Sequence, residues 1–226
     1  MIASVHLADV CPHRALTLLG RAPRPSAPAG VRYAQTAIAA AIAPGLLPRL
    51  RPSRIGLIAF WENDSALDRF LSAHSLSQHL ASGWHARMNP LRASGTWPGL
   101  DELSDRRASD QHGPVAVLTL GRLRLTNTVR FLQANAPAAG MASSDPALLA
   151  ATALAAPPNL VCTFSLWRDT ASLRAYAYGH SGSAHLAVIQ AHKRRPFHHQ
   201  SAFIRLHPYA QSGSCGDFTA LTDELR

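Results

Sequence analysis

Two stretches of this 226-residue chain lie on one another without a gap. Setting LIAFWENDSALDRFLSAHSLSQHLA (57–81) over TFSLWRDTASLRAYAYGHSGSAHLA (163–187), a constant shift of 106, puts Trp61 on Trp167, Leu67 on Leu173 and Phe70 on Tyr176. His74 then meets His180, His79 meets His185, and Leu80-Ala81 meets Leu186-Ala187. This is a tandem duplication, and two copies are too few to stack as a solenoid. Whatever unit the first copy folds into, the second must fold into as well, and the two must join.

The local chemistry agrees in both copies. IGLIAFW (55–61) and LVCTFSLW (160–167) are short, β-branched and aromatic, and read as strands. Asp64 and Thr170 follow as N-caps, and SALDRFL and ASLRAYA space their apolar residues for a helix lying back on a sheet. HARMNPLRAS and SAFIRLHPY supply a further strand each. Upstream, SVHLADV and PVAVLTL read as opening strands, CPHRALTLLG and LTNTVRFLQAN as the helices after them. LLAATALAAPP (148–158) reads as a strand, although its alanines would also suit a helix. Each half is then βαββαβ, a ferredoxin-like unit, and two such units pair their sheets into an α+β barrel with helices outside. The expected fold class is therefore α+β: tandem ferredoxin-like repeats forming a dimeric-type α+β barrel. RAPRPSAPAG (21–30) and ASGTWPGLDELSDRRASDQHGP (93–114) read as loops, which places a first half at 1–100, a linker at 101–113 and a second half at 114–226.

Hydrophobic residues make up 47% and charged residues 15%, enough apolar side chain for a proper core and too little charge for a disordered chain. The formal net charge is +9, and Lys193 is the single lysine among arginines. That basicity suits nucleic acid, an anionic membrane surface or an acidic electron-transfer partner, and equally a GC-rich genome; alone it does not choose. Few aromatics remain once the repeat is accounted for, so nucleic acid is not expected. Cys11, Cys162 and Cys215 are odd in number and widely spaced, giving neither a disulfide framework nor a thiolate zinc site, and Cys162 lies in an apolar run as a core residue. With no apolar run long enough to span a bilayer and no leader pattern, the expectation is a cytoplasmic protein, at most peripheral to a membrane.

The histidines are where the copies diverge. His185 follows the flexible GHSGSA and precedes LAVIQA, a small, apolar helical face that lets a broad flat ligand approach the backbone. A neutral imidazole there suits haem iron, with one protein ligand leaving the opposite face open. His180 and His185 are five apart, which is not the i, i+4 pair of a helical zinc motif. A zinc or non-haem iron site built from His185, His198 and His199 stays open at this stage, as does a capping or packing role for the repeated histidines. In RRPFHHQSAF (194–203), His198 and His199 precede a strand, so alternation sends them to opposite faces. One of them would be a polar group beside the ligand, holding or moving a proton. Lys193, Arg194 and Arg195, and Arg122 and Arg124 beyond the strand at 114–120, are candidates for carboxylates such as haem propionates, or are ordinary surface arginines. Tyr176, Tyr178 and Trp167 read as packing residues.

Over most of residues 55–210 the chain resembles the spheroidene monooxygenase family of haem carotenoid oxygenases. The resemblance is carried by FWENDSALDRFL, SGTWPGL, GPVAVLTLGRLRL and TFSLWRDTASLRAYAYGHSGSAHLAVIQAHKRRPFHHQSAFIR. That family is similar in turn to haem aldoxime dehydratases. The resemblance implies haem b, with His185 as the iron ligand, and by analogy with the dehydratases it singles out His199 as the histidine facing the pocket. Ala184 stands where the family has proline, and His198-His199-Gln200 replaces its acidic pair. The implied activity is oxygen insertion into an apolar, carotenoid-like substrate, with a separate electron-donor protein. Phe60, Phe164, Leu166 and Phe203 would then line a channel, or be core. Two alternatives remain: haem-dependent dehydration of an N–O substrate such as an aldoxime, and a non-catalytic haem or small-ligand carrier. A homo-oligomer is compatible with all three.

Overall fold

The computed structural model describes residues 1–27, 29–43, 45, 49–103, 112–179 and 184–220. The first half runs β1 (Ile2–Asp9), α1 (Pro12–Leu18), β2 (Val31–Ala41), β3 (Arg49–Trp61), α2 (Asp64–Ala73), α3 (Ser75–Leu80) and β4 (Trp84–Gly95). The second repeats the order as β5 (Val115–Leu123), α4 (Thr128–Ser144), β6 (Leu148–Ala156), β7 (Leu160–Trp167), α5 (Thr170–Tyr178), α6 (Ala184–Arg194) and β8 (His198–Ser212). A hairpin, β9 (Ser214–Cys215) and β10 (Phe218–Thr219), follows. This is the expected α+β class.

The eight long strands close into an antiparallel barrel in the order β1-β3-β2-β6-β7-β5-β8-β4. Each half contributes four neighbouring strands in the same internal order, and the two joints, β2–β6 and β4–β8, each pair a strand with its own repeat. The β4–β8 joint is long, running from His85↔Ser212 to Gly95↔Ala202, whereas β2–β6 spans only Ile38↔Ala155 to Ala40↔Ala153. At that short joint both strands are alanine-rich. Leu148–Ala156 is a strand despite its helix-favouring alanines because alternate residues Ala150, Thr152, Leu154 and Ala156 are buried, a period of two.

Closing the sheet separates two environments. Facing inward, Phe60, Trp84 and Phe164 are fully buried, with Trp84 5.9 Å from Phe164 and 4.9 Å from Phe218 of the hairpin. The segment after β4 is more than a loop: Trp97, Leu100 and Leu103 are buried in the same core, and Trp97 stands edge-on to Tyr33 at 5.9 Å. An eight-stranded barrel has room for its own side chains or for one small ligand, and here side chains fill it. The channel of Phe60, Phe164, Leu166 and Phe203 is therefore not formed: the first three are barrel core, while Phe203 is 45% exposed on the outside. Cys162 is core as expected, and all three cysteines are free thiols.

The helix starts fall one residue earlier than the sequence suggested. Asn63 Oδ1 accepts from Ala66 N–H at 3.0 Å and Asp169 Oδ1 from Ser172 N–H at 2.7 Å, so these, not Asp64 and Thr170, are the caps. The cap is the last residue with extended backbone, three before the amide it satisfies. Residues 104–111 of the linker lie outside the described residues, and none of the described helices is long and apolar enough to cross a membrane.

Candidate functional site

The barrel's outer face carries two sheet–helix layers, one per half, and they differ. In the first, Ile55, Leu57, Ala59 and Trp61 of β3 are all completely buried under Leu67, Phe70, Leu76 and Leu80 of α2 and α3. Ser4, His6 and Ala8 of β1 are equally dry. The shift of 106 carries Ile55 to Val161, Leu57 to Thr163 and Ala59 to Ser165, while matching strand register carries Ala8 to Gly121. Val161, Thr163 and Ser165 are each half-exposed, as are Val117 and Thr119 beside them on β5. Only Val115, Ala147, Trp167 and Leu173 form a buried cluster there. One layer is finished; the other is open, floored by small and hydroxyl side chains.

α6 packs against α4 and α5 beside this open layer. Leu186, Val188, Ile189, Ala191 and His192 are its half-buried residues, and Ala187 and Gln190 are exposed. Position 185 precedes His192 by seven residues, just under two helical turns; the side chains of Ala184 and His185 lie outside the described residues. His185 is the second residue of the helix. His180 lies outside the described residues, but its repeat, His74, caps α3: its Nδ1 accepts from Leu76 N–H at 3.1 Å. The first copy thus uses that histidine for capping, the ordinary role.

His198 and His199 part company, in a way simple alternation misses. Ala202, Ile204 and Leu206 of β8 point into the barrel, so alternation predicts His198 inward and His199 toward the helices. A bulge intervenes: Gln200 pairs with Arg122 but His198 pairs with Leu123. The extra residue flips the parity, and His198 turns outward onto Gly121, where a Cβ would lie 2.6 Å from its ring. Its ring stands 5.2 Å from Phe131 of α4 and 5.4 Å from His192 of α6. His199 is exposed. The histidine that the fold brings into the layer is therefore His198, and not His199. Burial, then the neighbouring His192, holds its pKa down at about 4, so the ring is neutral near pH 7; its Nδ1 is buried with no hydrogen-bond partner among the described residues. His192 Nδ1 accepts from Phe197 N–H at 3.2 Å.

The arginines separate as well. Arg122 lies over the Trp97 ring at 5.3 Å, on the barrel-interior side, and is not brought to His198. Arg124 is exposed at the end of α4 nearest His198, and its Nε donates to His198 O at 3.3 Å. Sequence reasoning passed over Arg130, which ties α4 to α6: Nη2 donates to Ala191 O at 2.7 Å and Arg195 O at 2.9 Å. Trp167 and Tyr176 pack as expected, 4.8 Å apart, with Tyr176 Oη donating to Ala138 O at 3.1 Å; Tyr178 is exposed. Among the described residues no three metal-ligating side chains converge. The cleft of roughly 370 Å³ lined by Ser26, Val31, Arg32, Asp101 and Glu102 lies in the first half and holds no histidine.

No family model and no curated protein matches the sequence. Solved structures do match the fold. An aldoxime dehydratase crystallised with butyraldoxime superimposes with a TM-score of 0.52 at 9% identity, over 95% of this chain and 83% of that one. A second aldoxime dehydratase gives 0.51 at 7% identity, over 92% and 81%. A monooxygenase-like protein from Listeria innocua gives 0.33 at 14% identity, over 92% and 94%, too loose an overlay to argue from. At these identities the likeness establishes a shared fold.

The residues of the open layer fit the group implied by the sequence resemblance. A haem needs a flat apolar bed, one imidazole on an accessible face and cations for its carboxylates. Thr163, Ser165 and Gly121 leave room on the sheet, α6 carries position 185 in its first turn, and Arg124 stands at the rim. His198 adds an orphaned ring nitrogen on the same side.

Proposed function

We propose that the chain is a haem-dependent enzyme that introduces oxygen into an apolar, carotenoid-like substrate, with the haem held in the second layer by His185. The observation carrying this reading is the contrast between repeats. The fold closes its sheet–helix layer completely in one copy and leaves it open in the other, and α6, the helix that carries position 185, belongs to the copy with the open layer. Bound there, haem supplies redox and ligand-activating chemistry that no side chain offers. The rest falls to the protein. His185 would ligate the iron through a neutral ring. His198, neutral at working pH, would accept or return a proton at Nδ1, a nitrogen with no partner among the described residues. Arg124 would meet a propionate, and Val161, Val188 and Ile189 would keep water from the apolar side. Reducing equivalents would come from a separate donor protein.

A second reading keeps the haem and changes the reaction to dehydration of an N–O substrate such as an aldoxime. It draws support from the overlay on aldoxime dehydratases and from a neutral, half-buried His198, a proton carrier of the kind needed to remove water. Haemin titration of the purified chain, followed by absorption, tests what the two readings share. The native protein should develop a Soret band, and His185→Ala should lose it or shift it unless imidazole is added. A native protein that stays colourless overturns both. Product formed from an apolar polyene only with oxygen and reductant supports the first reading; anaerobic conversion of an aldoxime to its nitrile supports the second.

A further inference from the structure

The start of α4 and the end of α6 form one rigid corner. Arg124 N–H donates to Phe197 O at 2.8 Å and Asn127 Nδ2 to Pro196 O at 3.0 Å. Arg130 reaches the last carbonyls of α6 as described, with its guanidinium 4.4 Å over the Phe197 ring. On this corner Leu125 and Val129, one helical turn apart, are 64% and 68% exposed. Arg124, Lys193, Arg194 and Arg195 are exposed around them.

The charge of the corner is one-sided. Between residues 112 and 216 the chain carries nine Lys and Arg against two acids, Asp145 and Asp169. Asp145 lies at the opposite end of the 17-residue α4, about 25 Å of helix away, and Asp169 caps α5. α4 has no acidic residue in its first turn and no side-chain cap, so its positive dipole end adds to the same field.

We propose that this corner docks the protein onto an anionic lipid surface, with Leu125 and Val129 entering the acyl boundary and Lys193, Arg194 and Arg195 meeting headgroup phosphates. Exposed aliphatic side chains inside a ring of cations are what an interfacial anchor combines. A nucleic acid would gain from the cations alone, since leucine and valine offer no stacking platform. The corner adjoins the open layer through His198, so an apolar molecule dissolved in the bilayer would meet the layer at its rim. The docking itself does not depend on haem being there.

Flotation of the full chain with vesicles tests it. Phosphatidylcholine vesicles containing phosphatidylglycerol should carry the protein up, pure phosphatidylcholine vesicles should not, and added salt should release it. Leu125→Ser with Val129→Ser, and separately Arg194→Glu with Arg195→Glu, should each weaken partitioning roughly tenfold or more. Leu16→Ser, at an exposed leucine of the first half, should change nothing. Circular dichroism confirms that each variant is folded, and Leu125→Cys in a Cys11→Ser background, carrying a polarity-sensitive fluorophore, should shift to the blue on vesicles. The proposal is overturned if the native chain does not float at low salt, or if the probe's emission is unmoved. It also falls if the arginine pair matters while the Leu125/Val129 pair does not, or if single-stranded nucleic acid strips the protein from vesicles.

Discussion

Acidification should destabilise the first layer through one residue, His6. Its ring is buried between Phe70, 6.1 Å away and edge-on, and His85, stacked at 5.2 Å. Its Nε2 lies 3.1 Å from Ser4 Oγ, which accepts from Trp61 Nε1 at 2.8 Å. Burial first, then His85 and Arg87, push its pKa down from 6.5 to about 3. The sign follows directly. In the unfolded chain His6 takes up a proton below about pH 6.5, whereas the folded ring stays neutral until about pH 3, so stability is complete above the first value and lost progressively toward the second. About pH 5 lies roughly 1.5 pH units below the unfolded value, so protonation of the unfolded ring there costs about 2 kcal/mol of stability. That is a large fraction of the roughly 5–15 kcal/mol that holds a typical domain folded. Urea unfolding followed by far-ultraviolet circular dichroism, near pH 7.5 and near pH 5, measures it. His6→Phe keeps the ring contacts and removes the titration, so it should lose about 2 kcal/mol less between the two conditions than the native chain does. The carboxyls of Asp9 and Asp64, held below the usual carboxylate value by Arg54 and Arg87 respectively, are common to both proteins and cancel in the comparison. Equal losses in both proteins would mean that water reaches His6, and the closed first layer would have to be abandoned.

The contrast between layers gives a second test: Phe70→Ala, in the closed layer, should cost about 3–5 kcal/mol in urea unfolding, and Tyr176→Ala at the repeated position less than about half of that. Gly121→Ala places a methyl against His198 and should expel the ring from its niche; the His198 proton resonances should then titrate close to the ordinary histidine value instead of near 4. Trp97→Ala should cost about 3–5 kcal/mol by opening the barrel core, yet leave haemin uptake unchanged. A folded Trp97→Ala that no longer takes up haemin would locate the ligand inside the barrel.

Much of this architecture is legible in the sequence because the repeat doubles each signal. Trp61 and Trp167 end equivalent strands, Asn63 and Asp169 begin equivalent helices, and the shared offset makes either element vouch for the other. β2 was not assigned from sequence, because TAIAAA offers alanines without β-branched alternation; it becomes a strand where two sheets meet and only small side chains fit. The site was half legible. A histidine heading an alanine-rich helix stands out in SAHLAVIQA, but the choice between His198 and His199 turns on a single inserted residue in β8. No period-two pattern reports a bulge, since a bulge consists in the failure of that pattern. Arg122 misled for a related reason. It is the next residue after Gly121, so it belongs to the other face of the sheet, with Trp97.

Duplication also explains why an open layer is tolerable. The barrel interior is one core drawn from both copies, with Val5, Phe60 and Trp84 from the first packed together with Leu118, Phe164 and Ile204 from the second. The second copy is therefore held in place by strands it shares, through the long β4–β8 joint, whether or not its own helices close over its sheet. Leu57 could become Thr163 and Ala8 could become Gly121 with the barrel intact, because what such changes give up is confined to the outer layer. A lone ferredoxin-like unit has no such reserve: its only core is the layer between sheet and helices, and hollowing that layer would unfold it. Pairing a complete copy with an incomplete one places the free volume on an already rigid support, with α6 tied down at its far end by Arg130.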